Sequence, residues 1–131
     1  MTKLDAVLLV LLGLLWATPG VSAQQVNFEK EVWPIFESHC FSCHGADLHE
    51  GQLRLDAKAI ALQGGLSGPS LVPKKPKESI LYRRLISEKQ SERMPAEAEA
   101  LSADQIALIR RWIEQGANWP EGLGSDAQAV S

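Results

Sequence analysis

"ESHCFSCHGAD", residues 37–47, contains both cysteines of the chain and two of its three histidines. Cys40 and Cys43 stand three positions apart, and His44 follows at once. Residues three and four apart share one face of a helical turn, so both sulfurs lie along one edge with the imidazole on the same side. A disulfide explains this trio poorly. A bridge from Cys40 to Cys43 closes a very small loop, and the stabilisation gained by closure grows with loop length. Zinc calls for four ligands, typically spread over two separated pairs. Beyond the trio only His39 and His49 lie nearby, and no second cluster follows. A thioredoxin-like redox pair belongs beside a strand–helix–strand pattern, which the sequence lacks.

The remaining chemistry is a flat macrocycle held by two thioether bonds. Cys-x-x-Cys-His is the attachment signature of c-type haem, with Cys40 and Cys43 as the covalent anchors and His44 as the proximal iron ligand. Attachment consumes both thiols, which suits an exported chain with no other cysteine. The second axial ligand is sought among few candidates. The chain has two methionines, Met1 and Met94, and Met1 leaves with the leader described below. Met94, in the polar stretch "SERMPAE", is then the available sulfur ligand, with Pro95 stiffening the backbone after it. His49 is a competitor. His39 abuts Cys40 and reaches the opposite side of a ring poorly.

The start of the chain reads as a signal peptide over residues 1–23. Lys3 precedes an apolar run from Ala6 to Trp16 broken only by Gly13; Pro19 and Gly20 then interrupt it, and Val21, Ser22 and Ala23 form a small-residue cut site. An uncleaved anchor is the alternative, but a spanning helix needs roughly 20 apolar residues. We expect an exported, periplasmic or otherwise extracytoplasmic protein with no permanent membrane span after cleavage. The folded domain is expected over residues 24–120, and the pattern-free segment 121–131 as a disordered tail.

The full sequence has 131 residues, 13 Lys and Arg against 16 Asp and Glu, and a net charge of −3. Nothing in that balance suggests nucleic acid as a partner, which would call for a basic face, and none is expected. Lys74, Lys75, Lys77, Arg83 and Arg84 form the one basic cluster, read as a solvated loop and helix face.

Helical signals dominate the rest. Asn27 caps a helix carrying Phe28, Val32, Ile35 and Phe36 at helical spacing, and Pro34 kinks it or starts a new one. Asp56 is placed to cap a short helix through Leu62. Residues 64–76, "GGLSGPSLVPKKP", are dense in glycine and proline and read as a structured loop. Pro76 opens another helical segment containing Ile80, Leu81 and Leu85. Ser102 and Gln105 form a capping box for the last helix, flanked by Leu101 and Ile106 as a hydrophobic staple. Ile106, Ile109 and Ile113 make its apolar stripe, with Trp112 beside it and Gly116 as its stop. The fold class is therefore all-α: three to five short helices with long loops wrapped around one covalent haem.

The stretches "VNFEKEVWPIFESHCFSCHGADLHEGQLRLD", "GGLSGPSLVPKKPKESILYR", "RMP" and "LSADQIALIRRWIEQGANWP" together resemble the planctomycete-type cytochrome c domain, a relative of class I cytochromes c. The resemblance covers nearly all of residues 28–120. It implies a class I cytochrome c-like fold, one haem c on Cys40 and Cys43, proximal His44 and distal Met94. It also implies that the carbonyl of Pro69, in "SGP", accepts a hydrogen bond from the ligand histidine. Ala96 departs from the family's frequent second proline after Met-Pro. Trp112 and Ile113 are expected to press on Phe28 and Val32, crossing the last helix over the first. Trp33 and Phe41 either cover the haem edge or fill core.

A histidine–methionine pair fills both axial positions, and methionine raises the reduction potential. The functional expectation is a single-haem carrier passing one electron between redox partner proteins, not an enzyme. The alternative is a haem enzyme or gas or redox sensor with an open or weakly held distal site, and more remotely a zinc-binding module.

Overall fold

The computed structural model describes residue 20 and residues 22–124. The expected leader lies outside the described residues except for residues 20, 22 and 23, and the expected tail is described only to residue 124. Four α-helices carry the structure: α1 (Trp33–His39), α2 (Lys58–Gln63), α3 (Ile80–Leu85) and α4 (Ala103–Glu114). Among the described residues there is no strand, only isolated bridges joining His44 to His49 and Gly65 to Gly68. The all-α class expected from the sequence is the class observed. No helix among the described residues is long and apolar enough to cross a membrane.

Pro34 shapes the first segment. Phe28–Val32 is a π-helical turn that leads directly into α1, and the Trp33 N–H reaches back to the Phe28 carbonyl. A proline has no N–H to donate four residues back and its ring crowds that carbonyl, so it suits the first turn of a helix. Pro34 lies there in α1. Asn27 caps the π turn by accepting from the Lys30 N–H at 3.0 Å, while the Glu31 carboxylate accepts the Asn27 N–H at 2.6 Å.

α4 begins with the capping box. The Gln105 N–H donates to Ser102 Oγ at 3.2 Å and the Ser102 N–H to Gln105 Oε1 at 2.9 Å. Gly116 ends the helix in the left-handed region with φ of 111°, which costs a residue without a Cβ little. Ile109, Trp112 and Ile113 are fully buried, and Ile106 is partly buried.

The crossing of α4 over the first segment is an aromatic cluster. Phe28 stacks on Trp112 with ring centroids 5.0 Å apart and lies 4.4 Å from Trp119. Phe36 meets Phe28 and Trp112 edge-on, each at 5.9 Å. Such pairs contribute about 0.5–1.5 kcal/mol each beyond their buried area. Trp33 and Phe41 pack edge to face at 5.0 Å and lie against this core, which places them in packing and not at the cavity described below. Trp119, given no role by the sequence patterns, is buried at the centre of the cluster and donates its indole N–H to the Leu123 carbonyl. Leu123 packs on the core in turn, and Glu121 pairs with Lys58.

The long loops are held by few, specific bonds. Buried Ser79 accepts the Val72 N–H at 2.9 Å and donates to the Lys75 carbonyl at 2.9 Å. The Lys74 N–H donates to the Ile113 carbonyl at 2.7 Å, tying the loop to α4. α2 starts at Lys58 with Ala57 in the N-cap position, one residue later than the capping role expected of Asp56. The Asp56 carboxylate is gripped by Arg54 at 2.8 and 3.0 Å.

Candidate haem site

α1 ends where the chemistry begins. The Cys40 carbonyl accepts the Cys43 N–H at 3.2 Å and the His44 N–H at 2.8 Å, so Cys40 to His44 is one helical turn, as the spacing predicts. The turn is then locked into the fold. The His44 carbonyl accepts the Leu55 N–H at 2.8 Å, and the Cys43 carbonyl accepts the Glu50 N–H at 2.9 Å. Gly45 follows with no space for a Cβ, which would collide with the Phe41 carbonyl oxygen.

Both sulfurs are free thiols, with Cys40 buried and Cys43 half-buried. Their environments differ electrostatically. Burial pushes the Cys40 thiol up to about 12, with the neighbouring Cys43 adding to the rise, because a thiolate loses its hydration there.

One cavity of about 520 Å³ takes in this turn. That lies within the roughly 300–1,000 Å³ typical of cofactor pockets. Cys40, Cys43 and His44 line it, and so does Met94, far away in sequence. Leu53, Leu55, Ile80, Leu81 and Leu85 supply apolar wall. The Met94 N–H donates to the Arg84 carbonyl at 3.0 Å, which fastens the methionine segment to α3.

The cavity also contains polar atoms that lack partners. His44 Nδ1 and Ser70 Oγ are both buried and unbonded. A buried polar atom left unpaired costs about 1–3 kcal/mol, so a partner for each of these atoms would be favourable. The donor set of two thiols, one imidazole and one thioether fits a covalently tethered haem. Three other placements bear on the ligand question. His49 does not line the cavity, whereas His39 does, exposed at its edge. The Pro69 carbonyl accepts the Ile80 N–H at 3.4 Å and His44 Nδ1 has no hydrogen-bond partner, so the bond implied between them is not formed here. Among the described residues no three His, Cys, Asp or Glu side chains converge as a metal-ion set, which is the geometry zinc would require.

The basic cluster divides. Lys74, Lys75, Lys77 and Arg83 are exposed, whereas Arg84 is half-buried on the cavity wall. Helical periodicity separates Arg83 from Arg84 by about 100°, a signal that distinguishes the pair once the apolar face of α3 is identified.

A small all-α fold whose Cys-x-x-Cys-His turn opens onto a cofactor-sized cavity is the arrangement that c-type haem attachment calls for. Residues 40–97 match the family described as Planctomycete cytochrome C, a stretch that runs from the first cysteine past Met94. That match suggests a haem-binding c-type cytochrome. No curated protein and no solved structure matches the chain.

Proposed function

We propose that this protein is an exported single-haem electron carrier, with Cys40 and Cys43 as the thioether anchors and His44 and Met94 as the axial iron ligands. The observation that carries the reading is the common cavity: the cysteines, the histidine and the single methionine beyond the leader all line it. Haem bound there supplies an iron that gains and loses one electron. The residues of the chain supply the rest. The turn from Cys40 to His44 is braced by backbone bonds to Leu55 and Glu50, which limits rearrangement of the proximal side. The apolar wall excludes water and lowers the local dielectric. Met94 as a ligand raises the potential and leaves no coordination position for oxygen or peroxide.

Pro69 remains the proposed acceptor for His44 Nδ1–H in the loaded protein. A carbonyl oxygen has two lone pairs, and its contact with the Ile80 N–H occupies one. Such a bond fixes the imidazole tautomer and raises its basicity. The partner is a redox protein that exchanges one electron with the carrier.

Mass spectrometry of the protein secreted by cells competent in cytochrome maturation tests this reading. A mature chain beginning at Gln24 and heavier by one haem is expected, with a reduced optical spectrum that carbon monoxide leaves unchanged. A colourless product with two reactive thiols would overturn the haem assignment. Rapid carbon monoxide binding at neutral pH would replace electron transfer with an open-site enzyme or sensor.

A further inference from the structure

Gln115, at the C-terminal cap of α4, clamps the segment ahead of the π turn at two points. Its Oε1 accepts the Val26 N–H at 2.8 Å and its Nε2 donates to the Gln24 carbonyl at 3.0 Å, across 89 and 91 residues of sequence. Val26 belongs to the buried core, so the clamp sits where the chain enters the fold. A terminus is ordered only where it is tied down in this way. The rest of Gln24 is free. The residue is exposed, and among the described residues neither its backbone nitrogen nor its side-chain amide forms a hydrogen bond.

Cleavage after Ala23 turns that free nitrogen into the α-amine of the mature chain. An α-amino group titrates at about pH 8, so part of it is the unprotonated nucleophile at neutral pH. It stands next to its own side-chain carboxamide, and attack on Cδ closes an unstrained pyrrolidone ring. The N–Cδ bond forms, the Cδ–Nε2 bond breaks, and Nε2 takes a proton from the amine and leaves as ammonia. No oxidant, reductant or co-reactant is needed. We propose that Gln24 is a modification site, closing to N-terminal pyroglutamate once the leader is removed. The ring uses the nitrogen and the side chain and leaves the carbonyl that Gln115 holds, so lactam and clamp coexist. It also removes the terminal charge and the amine that aminopeptidases require. Trimming of Gln24 would cost Gln115 one of its two contacts; a closed ring preserves both. This rests on the cleavage reading above and is independent of the haem.

Peptide mass spectrometry of the freshly secreted wild-type and Gln24→Ala proteins tests it, with free amines labelled before digestion so that closure during work-up is not counted. The wild-type terminal peptide is expected to begin at Gln24, to be lighter than its open form by one ammonia, and to carry no label on its α-nitrogen. Pyroglutamyl peptidase should remove its first residue and expose Gln25 to the label. Gln24→Ala has no carboxamide to attack and should be labelled at its first residue. A wild-type peptide that begins at Gln24 with a labelled amine, and stays open after incubation at neutral pH, overturns the proposal while the cleavage reading stands. A mature chain beginning at any other residue overturns both. If Gln24→Ala is not secreted, the mass and labelling of the wild-type peptide decide alone.

Discussion

Replacing Trp112 by alanine tests the crossing that positions the haem-bearing turn. The indole is fully buried, and truncating a core Trp or Phe costs about 3–5 kcal/mol. Two features of this site put the loss in the upper part of that range. The stack on Phe28 at 5.0 Å is lost, a contact of about 0.5–1.5 kcal/mol. The indole N–H that donates to the Asn118 carbonyl at 2.9 Å is lost as well, a bond of about 1 kcal/mol. The expected destabilisation is therefore about 4–5 kcal/mol, a large share of the roughly 5–15 kcal/mol that holds a domain folded. Trp112→Phe retains an aromatic ring and loses the hydrogen bond, so it should cost about 1–2 kcal/mol. Urea titration followed by far-ultraviolet circular dichroism measures both. The midpoints should fall in that order with an unchanged denaturant slope. A loss below about 1 kcal/mol for the alanine variant would refute the buried stack, since truncation of a surface residue is nearly neutral. The route from α4 to the cysteine turn through Phe28 and Phe36 would then fail with it.

Met94→Ala should leave covalent haem in place, lower the reduction potential and admit carbon monoxide; a spectrum and potential equal to wild type would exclude Met94 as ligand. In the chain before attachment, Cys43 should alkylate well ahead of Cys40, because the Cys40 thiol is pushed up to about 12. The sign for stability follows from that rise. The neutral thiol is favoured in the fold, so its stabilising contribution is complete below the ordinary value of 9.0 and is lost as pH climbs from there toward about 12. Equal alkylation rates in the folded chain would contradict this burial. Ser102→Ala should cost about 0.5–2 kcal/mol by removing the cap of α4, and an unaltered unfolding midpoint would show the cap to be dispensable. Gly45→Ala drives a Cβ into the Phe41 carbonyl and should destabilise by about 1–3 kcal/mol, detectable as reduced haem incorporation and a lower midpoint.

What could be read in one dimension was the chemistry confined to single turns. Cys40, Cys43 and His44 fall within one helical turn, so their spacing alone dictates a shared edge. Ser102 and Gln105 cap α4 through bonds between residues three apart, and Pro34 forces the break between the π turn and α1 through its own missing donor. The helical periods of the first and last segments, with the family resemblance, were enough to anticipate their aromatic crossing. Tertiary structure alone decided what distant segments share. It brought Met94 into the wall that holds the cysteines, left His49 out of it, sank Trp119 into the aromatic cluster and directed Arg84 to the cavity beside an exposed Arg83. Periodicity reports which face of a segment is apolar. It is silent on which other face that segment will meet, because that choice depends on the packing of the whole chain around one shared cavity.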